Sequence, residues 1–380
     1  MTEEIVKFFP SVYFITILFL YYLINYINFS RREILQILFI SYCGWGVFLG
    51  SRNIYDDITL DPYIFHDQAK NLSIGELWSD NFPKIDILLQ LIIKFFLSIV
   101  GNDILAMILT QLVLVSIIFF GVLYFTSFNP NSLLLTISFL VFTNTGVLLT
   151  GNFLRQGLAV AIFINILHLA TSCFDSSKKN RSKSFKVWYL FLLAIAQIFS
   201  HLSSIYLLIS LGLAESFQVK RLSQPLFLIS FLLFSIFILF IGQFLFLSSN
   251  EIYGGYEGAY AEGRDILYIK LVIDAVVLFS LMLLKKILPN IESNNFSLLF
   301  KSCIMLFIAC LFYSYAPVIS LRLEYYLNFL LIIVFASLIS SNSLDNRRII
   351  KRITLLSITL MYCYSFFVYN HPSITRTMIF

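Results

Sequence analysis

Long apolar segments recur along almost the whole chain, and they constrain its fold more than any other feature. With 59% hydrophobic and 12% charged residues, a soluble protein of 380 residues could not bury so much apolar surface. Continuous apolar runs also argue against a β-barrel, in which residues alternate. We therefore predict an all-α, polytopic membrane protein: one integral membrane domain over 1–380 with about 11–12 transmembrane or half-membrane helices. The segments are 8–29, 33–50, 85–100, 104–127, 132–150, 153–171, 187–214, 225–247, 266–284, 302–319, 325–341 and 353–369.

Clusters of Lys and Arg mark the loops predicted to be cytoplasmic. The clusters lie at 31–32, 178–186, 220–221, 285–286 and 347–352. Five apolar segments separate the first two clusters, although an even number of crossings is required between loops on the same side. We expect the segment 85–100, which carries Gln90 and Lys94, not to cross. The loops 51–84 and 248–265 are then predicted to be extracytoplasmic.

The segment 187–214 is long for one span, and both of its flanks are basic. Its centre reads Ser200-His201-Leu202-Ser203-Ser204. Broken helices are tolerated at membrane depth where they line a cavity, so we predict two half-helices that meet at His201 on the outer side. A histidine there is suited to accept a proton near neutral pH, or to hydrogen-bond across helices as a structural contact. The sequence leaves both roles open.

Four arginines fall at the predicted outer face, and they are Arg52, Arg155, Arg264 and Arg322. The guanidinium fork binds phosphate bidentately and keeps its charge, so a group of them suits a pyrophosphate. Alternatively, each one snorkels to lipid headgroups or pairs with a carboxylate. Arg155 is the strongest candidate, because it opens an apolar segment and is followed closely by Gly157, which permits close helix packing. Gln156, beside it, is a candidate for binding the substrate.

The two predicted outer loops add carboxylates and aromatic rings. In 51–84, Asp56, Asp57 and Asp61 are candidates for a general base or for binding sugar hydroxyls, with Tyr63 beside them. In 248–265, Tyr256 represents a group of tyrosines, glycines and carboxylates suited to stack on sugars, and Tyr325 follows Arg322. The alternatives are a solvated acidic loop and a polar connector.

The sequence resembles the EpsG/Wzy-type polysaccharide polymerases in three places. The first is Leu49-Gly50-Ser51-Arg52 with the acidic, tyrosine-containing loop after it. The second is Asn152-Phe153-Leu154-Arg155-Gln156-Gly157-Leu158-Ala159, similar to the family's Arg-Gln pair at the start of a small-residue helix. The third is Phe199-Ser200-His201-Leu202-Ser203-Ser204, similar to its Phe-x-His-x-Ser segment.

The resemblance implies a GT-C-like fold and a glycosyltransferase in the bacterial cytoplasmic membrane. Such an enzyme moves a growing glycan from polyprenyl pyrophosphate to a hydroxyl of a second lipid-linked repeat unit, on the outer side. Arg155 would stabilise the departing pyrophosphate, and His201 or one of Asp56, Asp57 and Asp61 would serve as base. The expected partners are donor and acceptor glycolipids, membrane lipid and a chain-length regulator protein. No cofactor, metal or nucleic acid is expected.

The sequence is also compatible with two other functions. A transporter or flippase of lipid-linked oligosaccharide would also use broken helices with polar residues near the membrane midplane. Many transporters have two related halves, and this sequence shows no internal repeat. A ligase that joins finished glycan to another acceptor would share the arginines and the outer face.

Overall fold

The computed structural model contains helices and connecting turns, and no strand among the residues that it describes. These are residues 3–27, 29–51, 61–76, 87–126, 128–174, 183–216, 263–287, 294–314, 317–340 and 347–369. The chain divides into two compact units, of which unit 1 comprises 1–204 with 339–380 and unit 2 comprises 205–338. A single membrane domain over the whole chain stays a prediction.

The helices of unit 1 are α1 Glu3–Tyr26, α2 Arg31–Gly50, α3 Asp61–Asn71, α4 Leu88–Val100, α5 Asp103–Phe125, α6 Pro130–Phe142, α7 Asn144–Val147, α8 Leu154–Phe174, α9 Lys183–Ser200 and α14 Arg347–Tyr369. A π-helical turn, Leu148–Asn152, joins α7 to α8, and a 3-10 turn, Leu202–Ser204, follows α9. The helices of unit 2 are α10 Ile205–Ser216, α11 Gly263–Ile287, α12 Asn294–Phe312 and α13 Pro317–Ser340.

The apolar helices confirm the prediction of a polytopic helical membrane protein. Within the described ranges, α2, α5 and the part 319–338 of α13 are each long and apolar enough to cross a membrane. Several shorter apolar helices accompany them. Ser30 begins α2 with a capping box, in which its hydroxyl accepts from the Glu33 amide and its own amide donates to the Glu33 carboxylate at 2.8 Å.

Helices α2, α5 and α8 form the centre of unit 1 through close backbone contacts. An added Cβ on Gly50 of α2 would lie 2.5 Å from the Cα of Ile108 on α5. On the other side of α5, a Cβ on Gly121 would lie 2.8 Å from the Nδ2 of Asn165 on α8. Small residues therefore set the spacing of these helices, as is typical of membrane interfaces.

The apolar segment 132–150 does not form one straight helix, because the chain bends by 82° between α6 and α7. Thr143 adopts an extended conformation at the bend, where its hydroxyl donates to the Phe139 carbonyl at 2.7 Å and accepts from the Gly146 amide at 3.1 Å. A side chain on Gly146 would collide with the backbone of Leu140. The threonine thus ends one helix and caps the next, and the glycine permits the close return.

Two further differences concern helix boundaries. The stretch 51–84, predicted as a loop, contains helix α3. The predicted segment 302–319 does not form one helix, because α12 ends at Phe312 and Pro317 begins α13. Proline is favoured in the first turn of a helix, where its missing amide is not needed.

Helix α4 lies in the segment 85–100, for which the absence of a crossing stays a prediction. Its 13 residues span about 20 Å, less than the apolar core of a bilayer. Gln90 is buried and donates to the Gln68 side chain of α3. The ammonium of Lys94 donates to the carbonyls of Ala69 and Leu72 at the end of α3, where a cation is favoured by the helix dipole.

Candidate functional site

Arg155 contacts the predicted acidic segment through an aromatic ring. It is the second residue of α8, and its Cζ lies 4.3 Å from the centroid of the Phe65 ring on α3. Phe65 is 6% exposed and Arg155 is half-buried. A cation at this distance is attracted by the negative face of the ring. The contact joins two of the three segments that the sequence singled out, and it orients the guanidinium.

The start of α8 is packed tightly against the π-helical turn. A Cβ on Gly157 would collide with the carbonyl oxygen of Leu149, so only glycine permits this approach. The indole of Trp45 on α2 donates to the Thr150 hydroxyl at 3.4 Å, which ties the turn to the centre of unit 1. The small-residue packing predicted around Arg155 is confirmed, since Ala159 is also fully buried.

Gln156 follows Arg155 and is buried at the same helix start. Its Oε1 has no hydrogen-bond partner in the described part of the chain. A buried amide oxygen normally has a donor, so this atom is placed to accept one from a ligand or an ordered water. This is compatible with the predicted substrate-binding role, which stays a prediction.

Helix α3 also holds a histidine that the sequence analysis missed. His66 is fully buried next to Phe65, with its Nε2 3.5 Å from Oδ1 of Asp103 at the start of α5. Asp103 is also bound by the Lys70 ammonium at 2.7 Å. Burial lowers the pKa of His66, partly opposed by the Asp103 carboxylate. The ring is therefore neutral at neutral pH.

The predicted acidic residues are only partly described. Asp61 begins α3 and Tyr63 is half-buried on the same helix. Arg52, Asp56 and Asp57 lie outside the described residues.

The predicted break at His201 is confirmed. Helix α9 ends at Ser200, and a helix resumes only at Ile205. The Gln197 carbonyl accepts from the hydroxyls of Ser200 at 2.6 Å and Ser204 at 2.8 Å, so the serines satisfy the end of the helix.

His201 is buried in unit 1, as Gln156 is. Helices α8 and α9 pack along each other and are joined by residues 175–182, so they run antiparallel. The 3-10 turn after His201 also contacts α8. His201 therefore lies toward the same end of α8 as Arg155.

The remaining candidates belong to unit 2. Arg322 is half-buried on α13, and the Tyr325 ring lies 5.3 Å from the Lys270 ammonium of α11. Arg264 lies in the first turn of α11, with its side chain outside the description, and Tyr256 lies outside the described residues. The convergence of the four arginines on one cavity stays a prediction.

Comparisons with known proteins give the family. The model of the EpsG family matches residues 57–377, which include α3, Arg155, the His201 break and all of unit 2. No curated protein and no solved structure matches the chain. The match supports a polysaccharide-polymerase type of role in a membrane. Since it covers most of the sequence, the chain belongs to the EpsG family.

Proposed function

We propose that the protein polymerises oligosaccharide repeat units linked to polyprenyl pyrophosphate, on the outer side of the bacterial cytoplasmic membrane. The acceptor hydroxyl oxygen forms a bond to the anomeric carbon of the donor glycan. The bond between that carbon and the pyrophosphate oxygen breaks, and polyprenyl pyrophosphate leaves. The hydroxyl proton passes to a base of the protein. The product is one repeat unit longer and remains lipid-linked.

The observation that carries the proposal is the placement of Arg155 over Phe65. The aromatic face attracts the guanidinium and helps to fix its direction at the start of α8. A guanidinium donates two parallel hydrogen bonds to phosphate oxygens. At the leaving pyrophosphate, where negative charge develops, such donors stabilise the transition state.

The base is drawn from the residues at the same end of unit 1. His201 lies at a helix break toward that end of α8, and Asp61 begins α3, four residues before Phe65. Asp57 precedes α3 in the chain. Histidine is the side chain that most often serves as a general base, and aspartate can serve as well. His201 is therefore our first candidate, with Asp61 and Asp57 as alternatives.

The test compares Arg155→Lys and Arg155→Ala in a strain that lacks the chromosomal copy, with surface polysaccharide resolved on a gel and protein level followed by immunoblot. We expect both variants to lose long chains at near-normal protein level. A lysine keeps the charge but not the fork, and losing a transition-state contact costs on the order of 3 kcal/mol, roughly a hundredfold in rate.

Arg31→Lys is the matched control. Arg31 also lies over a phenylalanine, with its Cζ 5.9 Å from the Phe128 ring. It is the first residue of α2, whereas Gly50 is the last, so the control has the same type of contact at another helix. It should keep normal chain lengths. Normal chains from Arg155→Lys would contradict the pyrophosphate role. A single repeat unit left on the acceptor indicates loss of polymerisation, whereas no attached glycan would instead indicate a flippase or ligase.

A further inference from the structure

Unit 2 contains a buried carboxylate cluster that the proposed function does not use. Asp274 of α11 is 3% exposed and Glu324 of α13 is 1% exposed. The exposed face of α11 is formed by apolar residues, including Ile269, Val272 and Ile273, whereas Asp274 lies in the buried stripe with Leu271. Ionisable residues inside membrane helices are costly to bury and are usually functional.

One of the two carboxylates is fully paired. The Lys270 ammonium lies 3.3 Å from Oε2 of Glu324, and the Asn328 amide donates to Oε1 at 2.6 Å. Lys270 also lies near the Tyr325 ring, with its ammonium 5.3 Å from the ring centroid, where the face of the ring attracts a cation. Glu324 and Lys270 therefore form a hydrogen-bonded ion pair with no net charge.

The other carboxylate lacks such partners. Oδ2 of Asp274 is buried and has no hydrogen-bond partner within the described ranges. Asp274 interacts electrostatically with Glu324 on α13, with Lys270 one turn away on its own helix, and with the buried thiol of Cys310 on α12. If both carboxylates were ionised, one lysine would face two negative charges, and the excess charge would be buried. A proton on Asp274 removes that charge.

The burial of the cluster limits what can bind there. A sugar hydroxyl would need far more access than a side chain 3% exposed allows. A hard metal ion takes six or more oxygen ligands, whereas the described residues contain no group of three metal-binding side chains, and Lys270 already supplies a cation. A proton satisfies the unpartnered oxygen without extra space. Lys270 is 27% exposed, so the cluster is not sealed from its surroundings.

We propose that Asp274, Glu324 and Lys270 form a proton-binding site within the membrane, at which Asp274 takes up and releases one proton. The reaction is the simple equilibrium of a carboxylic acid with a carboxylate and a proton. When Asp274 is ionised, it shares Lys270 with Glu324; when it is protonated, Lys270 pairs with Glu324 alone. This proposal goes beyond glycan transfer and does not depend on it.

Infrared difference spectroscopy of the purified full-length protein in lipid vesicles tests the site without any substrate. The C=O stretch of a protonated carboxyl is separated from that of a carboxylate. We expect a protonated-carboxyl band at neutral pH in the wild type, its loss in Asp274→Asn, and its retention in the control Asp67→Asn, since Asp67 is exposed on α3. The wild-type band should also decline reversibly as the pH is raised.

Glu324→Gln is a second variant that should also lose the protonated-carboxyl band, although it keeps Asp274. Asp274 is then the one carboxyl of the cluster beside Lys270, so it should ionise and the band should disappear. An undiminished band in Asp274→Asn would overturn the proposal. So would a wild-type band that does not change with pH while the protein stays folded, because Asp274 would then be a permanently neutral structural residue.

Discussion

Phe65→Leu tests whether the aromatic ring acts through the guanidinium that it contacts. Arg155 Cζ lies 4.3 Å from the ring centroid, well within the reach of a cation–π interaction, and the ring is almost fully buried. A desolvated interaction of this kind contributes about 2 kcal/mol, which corresponds to roughly a thirtyfold change in the population of the oriented guanidinium. We therefore expect long-chain polysaccharide to fall by roughly ten- to thirtyfold.

The control must match the packing cost of the change. Leucine keeps most of the apolar volume, so the destabilisation should stay near 1 kcal/mol and the protein level near normal. Phe163→Leu, at a fully buried position further along α8, removes a ring at similar cost. It should keep normal chain lengths. Equal losses in both variants would reduce Phe65 to a packing residue.

A double variant separates the ring from the fold. If Phe65 acts through Arg155, then Phe65→Leu should reduce chain length no further in an Arg155→Ala background, because the guanidinium is already absent. Independent effects would instead multiply. A full multiplicative loss in the double variant would refute the reasoning, even if each single variant behaved as expected.

Two further predictions concern stability. Gly157→Ala should lower the free energy of unfolding by several kcal/mol, because the added Cβ would collide with the Leu149 carbonyl. The control Gly44→Ala, with nothing within 4 Å of the added Cβ, should be neutral or stabilising by up to about 1 kcal/mol. Equal melting temperatures of the two variants in detergent would contradict the packing described. Burial depresses the pKa of His66 below its ordinary 6.5, so the neutral form is favoured in the folded state. The free energy of unfolding should therefore fall as the pH is lowered below about 6.5, by up to about 1.4 kcal/mol per pH unit. In His66→Gln, the free energy of unfolding should depend less on pH in this range. An unchanged pH dependence would show that the His66 ring is not buried as described.

The membrane class and the His201 break were predictable from the sequence, since both depend on local features. The long apolar runs predict that the chain lies in a membrane. The helix break is predicted by the basic flanks of 187–214 and by its polar centre, Ser200-His201-Leu202-Ser203-Ser204. The bend at Thr143 was missed, because the segment 132–150 is apolar enough on average to resemble one span, although Thr143-Asn144-Thr145-Gly146 interrupts it. A threonine three residues before Gly146 was the available signal of a helix cap.

Helix α3 was missed for a different reason. It has 11 residues, too few for a stable isolated helix, and its sequence is rich in polar residues. Its stability comes from packing against α4 and from the Lys94 ammonium at its end, neither of which is local in sequence. The available signal was the helical spacing of Phe65, His66 and Ala69, which are buried in the structure. This signal was obscured by the aspartates of the same stretch.

Lys270 and Arg155 make different kinds of contact in the described part of the chain. Lys270 forms an ion pair with Glu324, so its positive charge is balanced within the protein and stabilises a buried carboxylate. Arg155 lies against the Phe65 ring, which attracts the guanidinium and helps to fix its direction. The first arrangement suits a site that binds something as small as a proton, and the second suits an anionic ligand. Phe65 lies on the short helix α3, which is stabilised by its packing against α4. Substitutions in the contact between α3 and α4 should therefore shift the Phe65 ring and, with it, the guanidinium of Arg155.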